Sequence, residues 1–386
     1  MTAAASIGRF ELQRCNRCGT VQYPPREACH RCLSLELVWT QQPGAGELIA
    51  ATTLFHSQSA YFRRRLPWRI GLVRLDDGPT LIAHLHEKTP GPSARVRISA
   101  RLDRAGQAVL FAAPEAVTTD VHGDRQLRDL TCDPCGRNVL LTRGESPTAR
   151  ALVRELLDAG AALIWVGSRQ SAQAPPASAA ATVVFVPLDP DDPQSLQRAA
   201  AQIGARVDIL IHDGLAEEPA AIGKSGALAR SAALAGVADA FAPALGARAI
   251  EADPGPVAWV NILSSRGLPD FPAPPGSPTD RSRVSADDVA CYRISRQLRA
   301  IVQPAGIRVA NVIAADGDTE ANVVAQAVLD ALEQGLEEKF PADTPQQWLT
   351  DWVDGDKMRE LDESRCPARR PQAASQSPER WLSAQT

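Results

Sequence analysis

Four cysteines near the front of the chain, Cys15, Cys18, Cys29 and Cys32, constrain what it can fold into more than any other feature. They form two C-x2-C pairs, Cys15-Asn-Arg-Cys18 and Cys29-His-Arg-Cys32, separated by a loop of ten residues. Each pair makes a knuckle that offers two thiolates to one ion, and two knuckles complete a tetrahedron. Zinc suits that set best; iron is the other metal it accepts. Four sulfurs leave no open position for water, so the metal holds structure and activates no nucleophile. It substitutes for a hydrophobic core that about 40 residues cannot build alone. His30 lies inside the second knuckle and is expected to face solvent rather than the ion. The pattern predicts a structural zinc ribbon.

At 386 residues the chain is long enough for two or three domains, and its 44% apolar and 22% charged residues are those of globular protein. The opening MTAAASIGRFELQRC lacks a basic segment followed by an apolar run, which predicts no signal peptide. No stretch approaches the roughly 18 uninterrupted apolar residues of a membrane span. A cytoplasmic protein is expected, where paired cysteines serve as metal ligands rather than disulfides. Charge is uneven. Residues 1–120 hold 15 Lys+Arg against 10 Asp+Glu, and the rest hold 26 against 35. A basic front half suits a phosphate-bearing ligand or an acidic partner, or is simply a solvated surface.

Texture divides the chain into residues 1–40, the ribbon; 41–120, a small all-β barrel; 121–136, a linker; 137–345, alternating strand and helix; and 346–386, an extension with a disordered tail. Between 45 and 118, short β-like segments run without helices: GELIAATTLFH, WRIGLVRL, TLIAHLH, ARVRISARLD and QAVLFAAP. Asp77-Gly78 supplies the turn of a hairpin between the second and third. From Asn138, NVLLT, ALIWVG, ATVVFVPLD, VDILIHD, VAWVNILSS and IRVANVIA read as strands with helices between them. That alternation predicts a doubly wound parallel sheet of Rossmann type. Pro-rich stretches at 171–181 and 268–284 interrupt it.

The run Tyr23-Pro24-Pro25-Arg26 followed by Cys29-His30-Arg31-Cys32 resembles the zinc-ribbon/OB-fold family known as domain of unknown function 35. Leu66-Pro67 before a strand and the closing Phe111 and Pro114 continue the resemblance, over about residues 8–118. It implies an OB barrel behind the ribbon and a non-catalytic partner of thiolase-like enzymes that act on acyl-CoA. Arg63-Arg64-Arg65 is the one dense basic run, open to three readings: a contact for coenzyme A phosphates, a solvated loop or a protein-contact surface. A single-stranded nucleic-acid binder would need exposed aromatics on the barrel. Few are available: Phe55, Tyr61, Phe62, Trp68 and Phe111.

Residues 135–345 resemble the short-chain dehydrogenase/reductases. VDILIHDG stands where that family has a strand ending in Asn-Asn-Ala-Gly, VNILSS at its serine strand, Tyr292-Arg293-Ile294-Ser295-Arg296 at its Tyr-x-x-x-Lys helix, and PAGIRVANV at the next strand. The resemblance places the cofactor loop at Thr142-Arg143-Gly144-Glu145-Ser146-Pro147-Thr148-Ala149, with Arg143, Pro147 and Ala149 where the family has its three glycines. Pro147 removes a donor N–H as the helix begins, and Glu145 is expected to set a carboxylate near the positive helix end, against a pyrophosphate. Thr142 and Gly144 are what remains of the loop, and Gly144, one place out of register, leaves an altered loop open. Nicotinamide binding is therefore expected to be lost. If NADP were bound, Ser168-Arg169 would meet its 2′-phosphate.

Of the family's catalytic set, Tyr292 and a serine (Ser264 or Ser265) persist. Arg296 replaces the Lys, Ala233 stands at the Asn, and 26 residues separate Ser265 from Tyr292. Ser265, Tyr292 and Arg296 thus read as vestigial. Cys132-Asp133-Pro134-Cys135 is a further C-x2-C but only half a tetrahedral site, and Cys291 and Cys366 lie far off in sequence. Three functions follow. The first is an accessory subunit in a hetero-oligomer with a thiolase-like protein, supporting thiolysis or retro-aldol cleavage of acyl-CoA and sharing the acyl-CoA at a joint site. The second is an active NADP-dependent 3-hydroxyacyl-CoA dehydrogenase fused to a CoA-binding barrel. The third is a nucleic-acid binder. The first is the expectation.

Overall fold

The computed structural model describes residues 1–341 apart from 59, 64, 77, 104–105, 116–123, 129, 170–181, 216–228, 252–256, 269–284 and 315–318. Asp77 of the hairpin turn, Arg64 of the basic run, most of both Pro-rich stretches, Cys366 and the extension at 346–386 therefore lie outside the described residues.

A short helix, α1 (Thr2–Ala5), leads into the ribbon, whose strands β1 (Glu11–Cys15), β2 (Val21–Gln22) and β3 (Leu37–Gln41) form an antiparallel sheet in the order β2-β1-β3. Five strands then close a barrel: β4 (Ala45–Leu54), β5 (Trp68–Leu75), β6 (Thr80–Leu85), β7 (Arg95–Leu102) and β8 (Ala108–Pro114). Their order around the barrel is β4-β5-β6-β8-β7, with β7 returning to β4 and with β6 and β8 parallel. That is the five-stranded OB topology. Every second residue faces inward, so Val73, Leu75, Leu81, Ala83, Leu85, Val96, Ile98 and Ala100 fill the interior. Phe10 and Leu12 of the ribbon join the same core, which makes ribbon and barrel one packing unit.

A short helix α2 (Ala60–Arg63) lies between β4 and β5, and α3 (Arg125–Arg128) follows the barrel. The connecting segment is itself packed. Gln126 borrows the role of a strand, accepting from Arg69 N at 2.6 Å and donating to Arg69 O at 2.9 Å. Asp124, wholly buried, caps α3 by accepting from Leu127 N at 2.8 Å.

The remaining elements are β9 (Asn138–Leu141), α4 (Pro147–Asp158), β10 (Leu163–Ser168), β11 (Thr182–Pro187), α5 (Pro193–Ile203), β12 (Ile209–Asp213), α6 (Ala229–Glu251), β13 (Val257–Ser264), α7 (Ala286–Val302), β14 (Ile307–Ala314), α8 (Ala321–Gln334) and β15 (Glu338–Lys339). The seven strands are parallel in the order β11-β10-β9-β12-β13-β14-β15, a doubly wound sheet whose order reverses between β9 and β12. One core packs α4 and α8 on one face, and a second packs α5, α6 and α7 on the other. Helix α6 is the one described helix long and apolar enough to cross a membrane by length and composition. Its Val237, Phe241 and Leu245 are at zero exposure in the second of these cores.

The barrel joins this sheet at the end of α8. Arg101 Nη1 donates to Gln334 O at 2.9 Å, while Arg308 donates to Leu102 O of the barrel and to Gly335 O. Two guanidiniums thus meet the negative end of the helix dipole. Burial, with the charge of Arg308 beside it, lowers Arg101 to about 10. Ser6 O accepts from Glu337 N at 2.9 Å, so the first residues of the chain also clasp the sheet edge.

Candidate metal centre and nucleotide cleft

The ribbon brings its four predicted ligands together. Cys15 Sγ lies 3.5 Å from Cys32 Sγ and Cys18 Sγ 3.6 Å from Cys29 Sγ, and all four sulfurs lie within 4.8 Å of one another. Zn–S bonds of about 2.3 Å in a tetrahedron require sulfur separations of about 3.8 Å, so the set fits zinc. Cys15 and Cys29 are fully buried. The two knuckles are built alike. Gly19 N donates to Cys15 O at 2.8 Å and Leu33 N to Cys29 O at 2.9 Å, and both residues hold positive φ, +73° and +59°. Arg31 N donates to Cys29 Sγ at 3.4 Å. Thr20, through its side chain and then its backbone N–H, holds the Cys18 thiol down at about 6. The Ser34 N–H favours the Cys32 thiolate, but desolvation and the neighbouring sulfurs outweigh it and push that thiol up to about 12. The zinc is structural. His30 is exposed, and its Nδ1 lies 3.2 Å from Gln22 Oε1, away from the sulfurs.

Cys132 is buried and Cys135 exposed, and neither belongs to a group of potential metal ligands among the described residues. Cys291 is buried beside Leu234 and Leu263. Desolvation pushes its thiol up to about 12.

In a doubly wound sheet a dinucleotide sits beyond the carboxyl ends of the strands, where the order reverses. At that point the protein's own side chains bond one another. Thr142 is buried after β9, its Oγ1 3.0 Å from His212 Nδ1. Burial, reinforced by the charge of Arg143, lowers His212 to about 3, which leaves it neutral. Ser146 caps α4, accepting from Ala149 N at 3.0 Å and donating to Asp213 Oδ2 at 2.8 Å, and Pro147 holds the first helical position. Gly144 N donates to Gly167 O at 2.7 Å, an approach that leaves no space for a Cβ.

Glu145 is not at the helix end where its sequence position puts it. Its Oε1 turns to the end of β10, accepting from Ser168 Oγ at 2.9 Å and Arg169 N at 2.8 Å, because those donors compete better than the already capped helix. The carboxylate at the helix end is that of Asp213. Arg169 is committed to Asp189, at 3.0 Å, and to Asp191, which Arg143 also meets at 3.6 Å. Gly144 N, Ala149 N and the Arg169 side chain are thus engaged within the protein, and two carboxylates, Glu145 and Asp213, lie beside the loop.

The 310 turn Ser265–Gly267 follows β13 and packs on the first turn of α7, where a Cβ on Gly267 would stand 2.5 Å from Asp288 O. Ser264 Oγ accepts from Arg266 N at 3.2 Å, a local strand-end contact. Tyr292 lies one turn further along α7, half-buried against the cluster of Leu234, Leu263 and Cys291. Arg296 is half-buried a turn beyond, close enough to influence Glu338 electrostatically. Ala233 is buried on α6.

Behind Arg296 runs a polar chain that sequence reading missed. Trp259 Nε1 donates to Asn261 Oδ1 at 2.7 Å, Asn261 Nδ2 to Ser295 Oγ at 2.8 Å, and Ser295 Oγ to Asn311 Oδ1 at 2.5 Å. Asn311 Nδ2 donates to Glu338 Oε1 at 3.2 Å, which Arg299 Nη2 also meets at 2.8 Å. Desolvation raises the Glu338 carboxyl, against the pull of Arg299. The signal available was the single Asn at the middle of each of two largely apolar strands, Asn261 in β13 and Asn311 in β14.

Residues 2–38 match the family model of the ChsH2 rubredoxin-like zinc ribbon domain, and residues 39–106 match that of the ChsH2 C-terminal OB-fold domain. A curated relative from Thermomonospora curvata, described as a probable enoyl-CoA hydratase alpha subunit, is 29% identical over 82 residues, which is 21% of this chain. The match spans a quarter (25%) of that relative's length. Among solved structures, the Ltp2-ChsH2(DUF35) aldolase is 22% identical over 28% of this chain and 84% of its own, with a TM-score of 0.25. A short-chain dehydrogenase from Burkholderia cenocepacia J2315, solved with NADP, is 21% identical over 61% of this chain and 100% of its own, with a TM-score of 0.47.

Residues 2–106 thus match the ChsH2 zinc-ribbon and OB-fold models, and the sheet behind them is a doubly wound parallel sheet of Rossmann type by its own strand order.

Proposed function

We propose that this chain is a non-catalytic accessory subunit of an acyl-CoA-processing complex, docking through its ribbon and barrel on a thiolase-like enzyme that makes or breaks the carbon–carbon bond. Its reductase-like sheet is a scaffold with no nicotinamide chemistry. The acyl-CoA setting is supported by the similarity to a probable enoyl-CoA hydratase alpha subunit and to an Ltp2-ChsH2(DUF35) aldolase.

The observation that carries the scaffold reading is the helix end at Ser146. A pyrophosphate there needs free N–H donors and no negative charge. Ser146 takes the Ala149 N–H, Pro147 has none to give, and the Asp213 carboxylate is bonded to the cap itself. The residues present do not fit a dinucleotide.

Affinity purification of the tagged full chain from its native host tests the partnership, and recovery of a thiolase-fold protein in stoichiometric amount is expected. Fluorescence titration with NADH and NADPH tests the scaffold reading, and no saturable quenching is expected. Saturable binding with turnover of a 3-hydroxyacyl-CoA that Tyr292→Phe abolishes would instead establish the dehydrogenase reading.

A further inference from the structure

The outward side of three barrel strands carries the wrong residues for water. Strand pairing aligns Ala50 with Leu72 and Leu72 with Ile82, and the next row aligns Thr52 with Ile70 and Ile70 with His84. Leu54 pairs with Trp68 one row further on. Helix α2 lays Phe62 over Trp68, with ring centres 5.2 Å apart, and closes that end. The rest stays open: Leu54 is 36%, Leu72 37% and Ile82 65% exposed. A solvated barrel face alternates to polar residues here, and a contiguous aliphatic row marks an interaction surface.

Charge around the face is equally uneven. Of the barrel-strand arginines, Arg74 pairs with Glu47, Arg95 with Asp76 and Glu115, and Arg97 with Glu115, while Arg69 and Arg101 donate to backbone carbonyls. Arg63 on α2 and Arg125 and Arg128 on α3 meet no carboxylate among the described residues. Arg63 donates instead to Gln58 O, and Arg125 to Arg65 O, which fastens α3 beside α2. These three exposed arginines sit on α2 and α3, the helices that pack at the Trp68–Arg69 end of β5 and so border the apolar row there.

We propose that the outward face of β4, β5 and β6, centred on Leu54, Leu72 and Ile82 and edged by Arg63, Arg125 and Arg128, is where the partner subunit docks, through an apolar patch of its own bordered by carboxylates. This rests on the accessory-subunit reading and names its surface. An apolar centre with an arginine rim is the anatomy of a protein interface. Single-stranded nucleic acid needs a run of aromatic platforms, which Leu and Ile do not supply. A small anion needs a concave site, whereas these side chains stand exposed on short helices.

The test uses the full chain and the purified thiolase-fold protein recovered with it. Ile82→Asp, outward-facing and so harmless to the core, should weaken the complex by about a hundredfold. Arg63→Glu/Arg125→Glu should weaken it by about tenfold and flatten its salt dependence. Both variants should keep one zinc per chain and a wild-type circular dichroism spectrum. Wild-type affinity in both would overturn the docking face while leaving the accessory reading intact. Failure of the wild-type chain to bring down any thiolase-fold protein would overturn both. Sedimentation showing a wild-type homodimer that Ile82→Asp dissolves would assign the face to a second copy. Binding of oligo-dT that Arg63→Glu/Arg125→Glu abolishes would assign it to nucleic acid. Either result overturns the proposal.

Discussion

Replacing Cys29 by Ser removes one of four sulfurs and, with it, the ion that folds the ribbon. The consequence reaches beyond the ribbon because β1 is shared. Phe10 and Leu12, only 6% and 1% exposed, belong to the core that fills the barrel. Fully burying such side chains stabilises by about 1.5–3 kcal/mol each, so releasing both costs about 3–6 kcal/mol. Against the roughly 5–15 kcal/mol that holds an ordinary domain together, the barrel should lose much of its stability. The two cores of the parallel sheet share no residue with that cluster and should persist. Calorimetry of the wild-type chain should show two transitions, of which Cys29→Ser, or chelation of wild-type zinc, lowers or abolishes only one. Zinc content, released by a thiol-modifying reagent and read with a colorimetric chelator, should fall from one per chain to well below it. If Cys29→Ser keeps a full zinc and an unchanged thermogram, the ligand set is wrong. If both transitions collapse together, the argument from separate cores is wrong.

The two knuckles make a signed pair of predictions. Gly19→Ala forces a Cβ into the left-handed region with its nearest neighbour 3.9 Å away, so it should cost about 1–2 kcal/mol through φ alone. Leu33→Gly, at an exposed residue already there, should be neutral or stabilise by up to about 1 kcal/mol, and urea unfolding of the two variants would show opposite signs. Gly144→Ala places a Cβ 2.7 Å from Gly167 O and should destabilise the sheet transition by about 2–4 kcal/mol in calorimetry, with the barrel transition unmoved. His212, lowered from 6.5 to about 3, leaves the unfolded chain binding the extra proton between those values. Its stabilising effect is therefore present above pH 6.5 and lost as pH falls toward 3, at up to about 1.4 kcal/mol per pH unit. His212→Asn should flatten that part of the stability–pH curve, and an unchanged slope would refute the assignment.

Ribbon and sheet were legible in sequence because their signals are local. Ligand spacing alone places Cys15, Cys18, Cys29 and Cys32 around one ion, and apolar runs such as VDILIHD mark strands buried on both faces. What was illegible depends on contacts between distant residues. The parallel pairing of β6 with β8 closes the barrel, yet no local pattern announces it. Strand β15 is two residues long and has no periodicity to read. Gln126 imitates a strand through its side chain, which composition does not reveal. Glu145 shows the limit most clearly. Its place before a helix argues for the helix dipole, but Ser146 had already satisfied the cap, and two donors 23 and 24 residues away claimed the carboxylate instead.

That displacement bears on what the sheet is for. A dinucleotide site keeps donors in reserve at the carboxyl ends of its strands, and the ligand satisfies them. Here Ser146 bonds Asp213, Thr142 contacts His212, Glu145 bonds Ser168, and Arg169 bonds Asp189. Among the described residues, these side chains satisfy one another across the strand ends, which stabilises the sheet where its order reverses. The same sheet offers the barrel a rigid seat, because Arg101 and Arg308 bind the far end of α8 and Ser6 binds the edge beside it. Zinc orders the ribbon, the ribbon's Phe10 and Leu12 complete the barrel, and the barrel is fixed to α8. An element stabilised at both ends holds its outward strands in one orientation, which is what a docking face needs.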